Sequence, residues 1–181
     1  MIYIFLICSL ISNYCLANII EHEFPVSTII DKSNFFNSTI VITGLNGNII
    51  SSGDLIINRD GSFGSRQNIY TEARIFDVES EKISDLITSK DYSSIRWRVV
   101  VDPIVSSSGA TDVSSSRAIL YNHSFFGIKP MDVNSTPIEG APELINRVTW
   151  STSSAKGGEV NDLNPGDTLS VTARIIIEAD L

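Results

Sequence analysis

Cysteine is nearly missing from this chain of 181 residues, and both copies, Cys8 and Cys15, fall close to the amino terminus. If that segment is lost on export, the remaining chain has no thiol. That excludes a disulfide framework, a thiolate metal site and a cysteine nucleophile. Histidine is as scarce, with only His22 and His123. A zinc site needs three or four converging nitrogen or sulfur ligands, so no metal is expected. Basic residues are few: 13 Lys and Arg stand against 21 Asp and Glu, a formal net charge of -8. With no basic cluster, nucleic acid is not an expected partner, nor is an anionic membrane surface. Catalytic signatures are missing as well. There is no G-x-S-x-G elbow. Gly157-Gly158 lacks the Lys-Ser/Thr of a phosphate loop, and Gly44-Leu45-Asn46-Gly47 has the composition of a turn. Asn58 to Ser62 resembles part of a calcium loop but has no distal Glu at the required offset. Acidic residues are too numerous for any pair of them to identify a glycosidase cleft. The expectation is a protein that is not an enzyme and uses no cofactor.

Long apolar runs are also rare. The one present, Ile2 to Ile11, is shorter than the roughly 20 residues that span a bilayer. A polar break at Ser12-Asn13 follows, and the small residues Cys15 and Ala17 satisfy the minus-three, minus-one rule for cleavage before Asn18. Residues 1–17 therefore read as a secretion signal, although no Lys or Arg precedes the apolar run. A buried strand, a membrane anchor and an acylated Cys15 are the alternatives; Asn13 and Tyr14 are large for a lipobox. Residues 18–181 are enough for one core and one domain.

What fills that domain is alternation. From Thr168 to Leu181 the chain reads T-L-S-V-T-A-R-I-I-I-E-A-D-L, with Leu169, Val171, Ala173, Ile175 and Ile177 on one parity. A period of two at this length marks a long half-buried strand, and Asn164-Pro165-Gly166-Asp167 punctuates its start. Ile20, His22, Phe24, Val26 and Thr28 alternate in the same way near the amino terminus, where Pro25 implies an edge or a break. Further strands are expected at 39–43, at 54–58 leading through Asp60-Gly61 into a hairpin, at 69–78, at 95–101 up to Asp102-Pro103, at 118–121 and at 144–151. Ile83, Leu86 and Ile87 are spaced for one short helix within Glu79 to Tyr92. Ser106 to Ser116 reads as a flexible loop, 129–143 as irregular chain, and 153–164 as a second loop. Trp97 and Trp150 are core candidates. Tyr121 to Phe126 is the candidate exposed recognition surface. Three N-x-S/T triplets occur, at Asn37, Asn122 and Asn134; such triplets mark glycans in secreted eukaryotic proteins and also arise by chance in Asn- and Ser-rich chains. The fold class is all-β, a sandwich with one short helix between strands.

The amino-terminal alternation, together with the ending Pro165-Gly166-Asp167-Thr168-Leu169-Ser170-Val171-Thr172-Ala173, resembles the chaperone–usher fimbrial (pilin) subunits, in a cysteine-free branch. The resemblance implies an immunoglobulin-like sandwich that is incomplete, its missing strand supplied by the next subunit through donor-strand exchange. It makes Ile20, Phe24 and Val26 the donor knobs. Leu169, Val171, Ala173, Ile175 and Ile177 become the acceptor groove and chaperone-facing strand. It implies neighbouring subunits, a periplasmic chaperone and an outer-membrane usher as partners, and export through the periplasm to the cell surface. Asp180 stands where many members carry an aromatic residue. The alternative is a stand-alone secreted β-sandwich that binds host glycans or a host surface protein.

Overall fold

The computed structural model describes residues 22–24, 40–77 and 80–180. The expected secretion signal lies outside them, as does most of the amino-terminal strand. In chain order the strands are β1 (His22–Phe24), β2 (Ile40–Thr43), β3 (Gly53–Ile57), β4 (Phe63–Ser65), β5 (Ile69–Asp77), β6 (Lys82–Leu86), β7 (Ser94–Ser107), β8 (Ala118–Ser124), β9 (Gly127–Met131) and β10 (Ile138–Gly140). A single helical turn, α1 (Pro142–Ile145), precedes β11 (Arg147–Ser154) and β12 (Leu169–Asp180).

The fold is all-β, and every ladder is antiparallel. The larger sheet is built around β11. One side of β11 carries β8, which carries β9. Its other side carries β5 at Arg147–Trp150 and β4 at Ser153. Beyond β4 and β5 lie β3 and β2 respectively, and β1 pairs with β3. The smaller sheet has the order β10-β7-β12. The two sheets meet face to face. Trp97 of β7 and Trp150 of β11 are fully buried and pack edge to face, with centroids 6.1 Å apart. Each indole N–H is satisfied: Trp97 Nε1 donates to the Ile145 carbonyl and Trp150 Nε1 to Thr71 Oγ1, both at 2.9 Å. Leu55, Ile69, Ile95, Leu120, Val148 and Leu169 fill the space around them.

Four expectations need correction. Glu79 to Tyr92 holds no helix in its described part. Glu81, at φ 53°, turns the chain back so that β6 pairs with β5. Ile87 then anchors the segment in the core, its N–H donating to the Ala73 carbonyl. Ile83 and Leu86 lie in β6 itself, and the only helix-like feature of the segment, in its described part, is a turn at 88–92, tied by Thr88 to the Asp91 carboxylate at 2.9 Å. Among the described residues the α-helical element is α1, which spans the end of the stretch expected to be irregular and the start of the strand expected at 144–151, and Pro142 presets its first turn. Asp102-Pro103 does not end its strand. β7 runs through it on bulges, because the register slips between Thr172 and Arg174 and again before Ile175. A proline without an amide hydrogen fits at such a bulge, where ladder bonds are missing anyway.

The fourth correction is Ser106–Ser116. Its first two residues belong to β7. The rest is latched: Thr111 donates its N–H and hydroxyl to Asp167 Oδ2 at 2.8 and 2.7 Å, and Arg117 N–H donates to the Gly158 carbonyl. The Asp60-Gly61 hairpin forms between β3 and β4 as expected. Gly61 has φ 79°, and a Cβ there would sit 1.9 Å from the Val160 carbonyl, so only glycine fits where the 155–164 loop crosses.

Candidate functional site

The alternation in β12 is realised in space. Leu169, Val171, Ala173, Ile175 and Ile177 all face the core and are at most 6% exposed. Ser170, Arg174, Ile176 and Glu178 lie on the other, half-exposed face. One edge of β12 is consumed by β7, from Leu169 opposite Ser107 to Asp180 opposite Ser94. On its other edge, no ladder forms among the described residues. β1 lies within 8 Å of β12, Cα to Cα, while its own ladder runs to β3, with Phe24 opposite Gly53. The amino-terminal strand therefore sits where the edges of the two sheets converge.

Both ends of β12 are pinned. At the carboxyl end Arg98 donates to Glu178 Oε1 at 3.1 Å, Arg96 lies 3.9 Å from Glu178 and bonds Asp180, and Ser93 N–H donates to the Asp180 carbonyl. The Asp180 carboxylate beside Arg96 raises that guanidinium above its ordinary value. Exposed ion pairs contribute little stability singly, so the effect of this group is to fix register. At the other end Ser106 and Ser170 hydroxyls meet at 2.7 Å, and Thr168 N–H donates to Ser108 Oγ at 3.0 Å. The Thr111 hydroxyl and N–H hold the Asp167 carboxyl below the usual carboxylate range.

No family model, curated protein or solved structure matches this chain.

The predicted site residues divide by position. The five acceptor positions share one strand and one face, and Phe24 lies in β1 beside that strand. Ile20 and Val26 fall outside the described residues. The Arg96, Arg98, Glu178 and Asp180 clamp was not anticipated, though its signal was present as opposite charges on the outward parity of two strands. His123 Nε2 meets Ser151 Oγ at 2.6 Å, with no carboxylate among the bonded partners of that ring within the described residues. No group of three His, Cys, Asp or Glu is placed to hold a metal ion among the described residues. Phe125 and Phe126 form the two-residue tip of the β8–β9 hairpin, 70% and 42% exposed, between the paired residues Ser124 and Gly127, the latter at φ 92°. What this arrangement can do chemically is present, above an apolar core, a strand edge that carries no ladder among the described residues.

Proposed function

We propose that this chain is a structural subunit of a bacterial surface fimbria assembled by donor-strand exchange. The strand order carries the reading. A constant-type immunoglobulin domain, with strands A to G, arranges A-B-E-D in one sheet and C-F-G in the other. Taking β2 with β3 as A, β4 with β5 as B, β7 as C, β8 as D, β11 as E and β12 as F reproduces A-B-E-D and C-F. The position of G, beside F, is the edge of β12 that carries no ladder among the described residues. In this reading an incoming strand bonds that edge through its main chain. Its alternate side chains, at the positions of Ile20, Phe24 and Val26, cover the core above Leu169 to Ile177. A periplasmic chaperone caps the same edge before an outer-membrane usher exchanges it, and the product is displayed at the cell surface.

The test is deletion of Asn18 to Ile30. Polymers should be lost, and the truncated subunit should take up a synthetic peptide of residues 18–30 added in trans. Polymers that persist without the segment would sink the proposal. A second reading, the stand-alone secreted sandwich that binds glycans or a host protein, is favoured by the pairing of β1 with β3 inside its own domain. Under that reading the intact chain stays monomeric at every concentration and the deletion only lowers its melting temperature.

A further inference from the structure

Two N-x-S/T triplets lie within the described residues, and the fold treats them in opposite ways. Asn122 faces inward on β8 and is 0% exposed, and the hydroxyl of its triplet, Ser124 Oγ, accepts from the Phe126 N–H. Asn134 lies in the turn between β9 and β10, and both it and Thr136 are exposed. That turn is built by its neighbours. Asp132 Oδ1 accepts from the Asn134 N–H at 2.8 Å and from Ser135 Oγ at 2.9 Å, and Ser135 Oγ accepts from the Asp132 N–H. Asp102 Oδ1 accepts from the Val133 N–H at 2.8 Å and fastens the turn to β7. None of these bonds uses the Asn134 carboxamide or the Thr136 hydroxyl, the two groups that an N-glycosylating enzyme must reach.

We infer that Asn134 is an acceptor for an N-linked glycan in the folded protein and that Asn122 is not. In the transfer, Asn134 Nδ2 forms a bond to the anomeric carbon of an oligosaccharide carried on a polyisoprenyl diphosphate. The bond from that carbon to the diphosphate oxygen breaks, the lipid diphosphate leaves as the anion, and one amide proton passes to base. No oxidant or reductant is involved. The site lies at the β9 and β10 side of the sandwich, and β7 separates it from β12 in the smaller sheet. A glycan there stays clear of the edge of β12 that carries no ladder among the described residues. The inference does not depend on the fimbrial reading.

The experiment incubates the purified, folded chain with a single-subunit oligosaccharyl transferase of relaxed triplet specificity and a lipid-linked oligosaccharide, followed by peptide mapping. Two synthetic peptides, spanning residues 117–127 and 130–139, serve as unfolded controls that should both be modified. The folded chain should carry glycan on Asn134 at least ten times more often than on Asn122. Asn134→Gln should remove the Asn134 glycan without shifting the melting temperature, and Thr136→Ala should remove it too. A folded chain that is modified at Asn122, or left bare at Asn134 while the 130–139 peptide is modified, overturns the inference.

Discussion

Glu72 and Asn122 are both completely buried polar side chains, and they make opposite demands. Glu72 receives Arg74 Nε at 2.7 Å and Arg147 Nε at 2.9 Å. Burial alone would raise its carboxyl; the bonds and charges of the two guanidinium groups outweigh that and bring it below the ordinary value. Its contribution is therefore complete above the unfolded glutamate value and drains away as pH falls through the lowered native one. Glu72→Gln should cost about 2 kcal/mol, short of the 3–5 of a fully buried pair because Arg147 reaches water. The same variant should flatten the acid limb of stability, read as urea midpoints from about pH 6 down to about pH 2. Midpoints with an unchanged pH slope would disprove the linkage. Asn122 is the converse: neither its Nδ2 nor its Oδ1 has a hydrogen-bond partner. A buried unsatisfied group costs about 1–3 kcal/mol, so Asn122→Leu should raise the unfolding free energy by about 1 kcal/mol in urea titration. A loss of stability would mean that the carboxamide is satisfied in solution.

At the scale of elements, the sequence was most legible where a single periodicity ran for many residues. β12 and β5 were placed to within a residue or two, because period two over nine or more residues has no competing interpretation. Short segments were illegible for definite reasons. Ile83, Leu86 and Ile87 fit three-four spacing, yet a left-handed Glu81 made a hairpin cheaper than a helix. Asp102-Pro103 carries a stop signal that a bulge absorbs, which depends on a partner more than sixty residues away. Ser-rich composition suggested mobility from 106 to 116, while the Asp167 latch is a tertiary contact with no local trace. Asp167→Ala removes both bonds from Thr111 and should speed proteolysis within 108–117 at least several-fold, with fragments mapped by mass. Cleavage at the parental rate would argue against the latch.

Across the whole molecule, the sheet order could not be read from the strands one at a time. Pairing of β4 and β5 with β11, and of β7 with β12, joins segments far apart in sequence, and antiparallel alternation alone is compatible with many orders. The two tryptophans were legible as core but not as a pair. Because they come from different sheets, their fluorescence reports the closing of the sandwich, whereas far-UV dichroism reports the ladders. The domain should unfold in one step, with the two signals sharing one midpoint in urea. Midpoints separated by more than their fitting error would mean that the sheets come apart before they melt.

The β7–β12 ladder also bears on how the chain is made. β7 is fourteen residues long and half apolar, with Ile95, Trp97 and Val99 buried in the finished molecule. Its main partner is distant: the Ser106 to Ser170 contact spans 64 positions and the Ser94 to Asp180 contact spans 86. At about 5–20 residues per second, a ribosome needs roughly 3–17 s to deliver β12 after β7 has emerged. During that interval, among the described residues, only the three residues of β10 can pair with β7 in its own sheet. The strand is then an open, sticky template, and contact with another nascent copy competes with the correct ending. Yield in the cell should accordingly depend on how fast the 108–168 stretch is translated, through the time for which β7 waits.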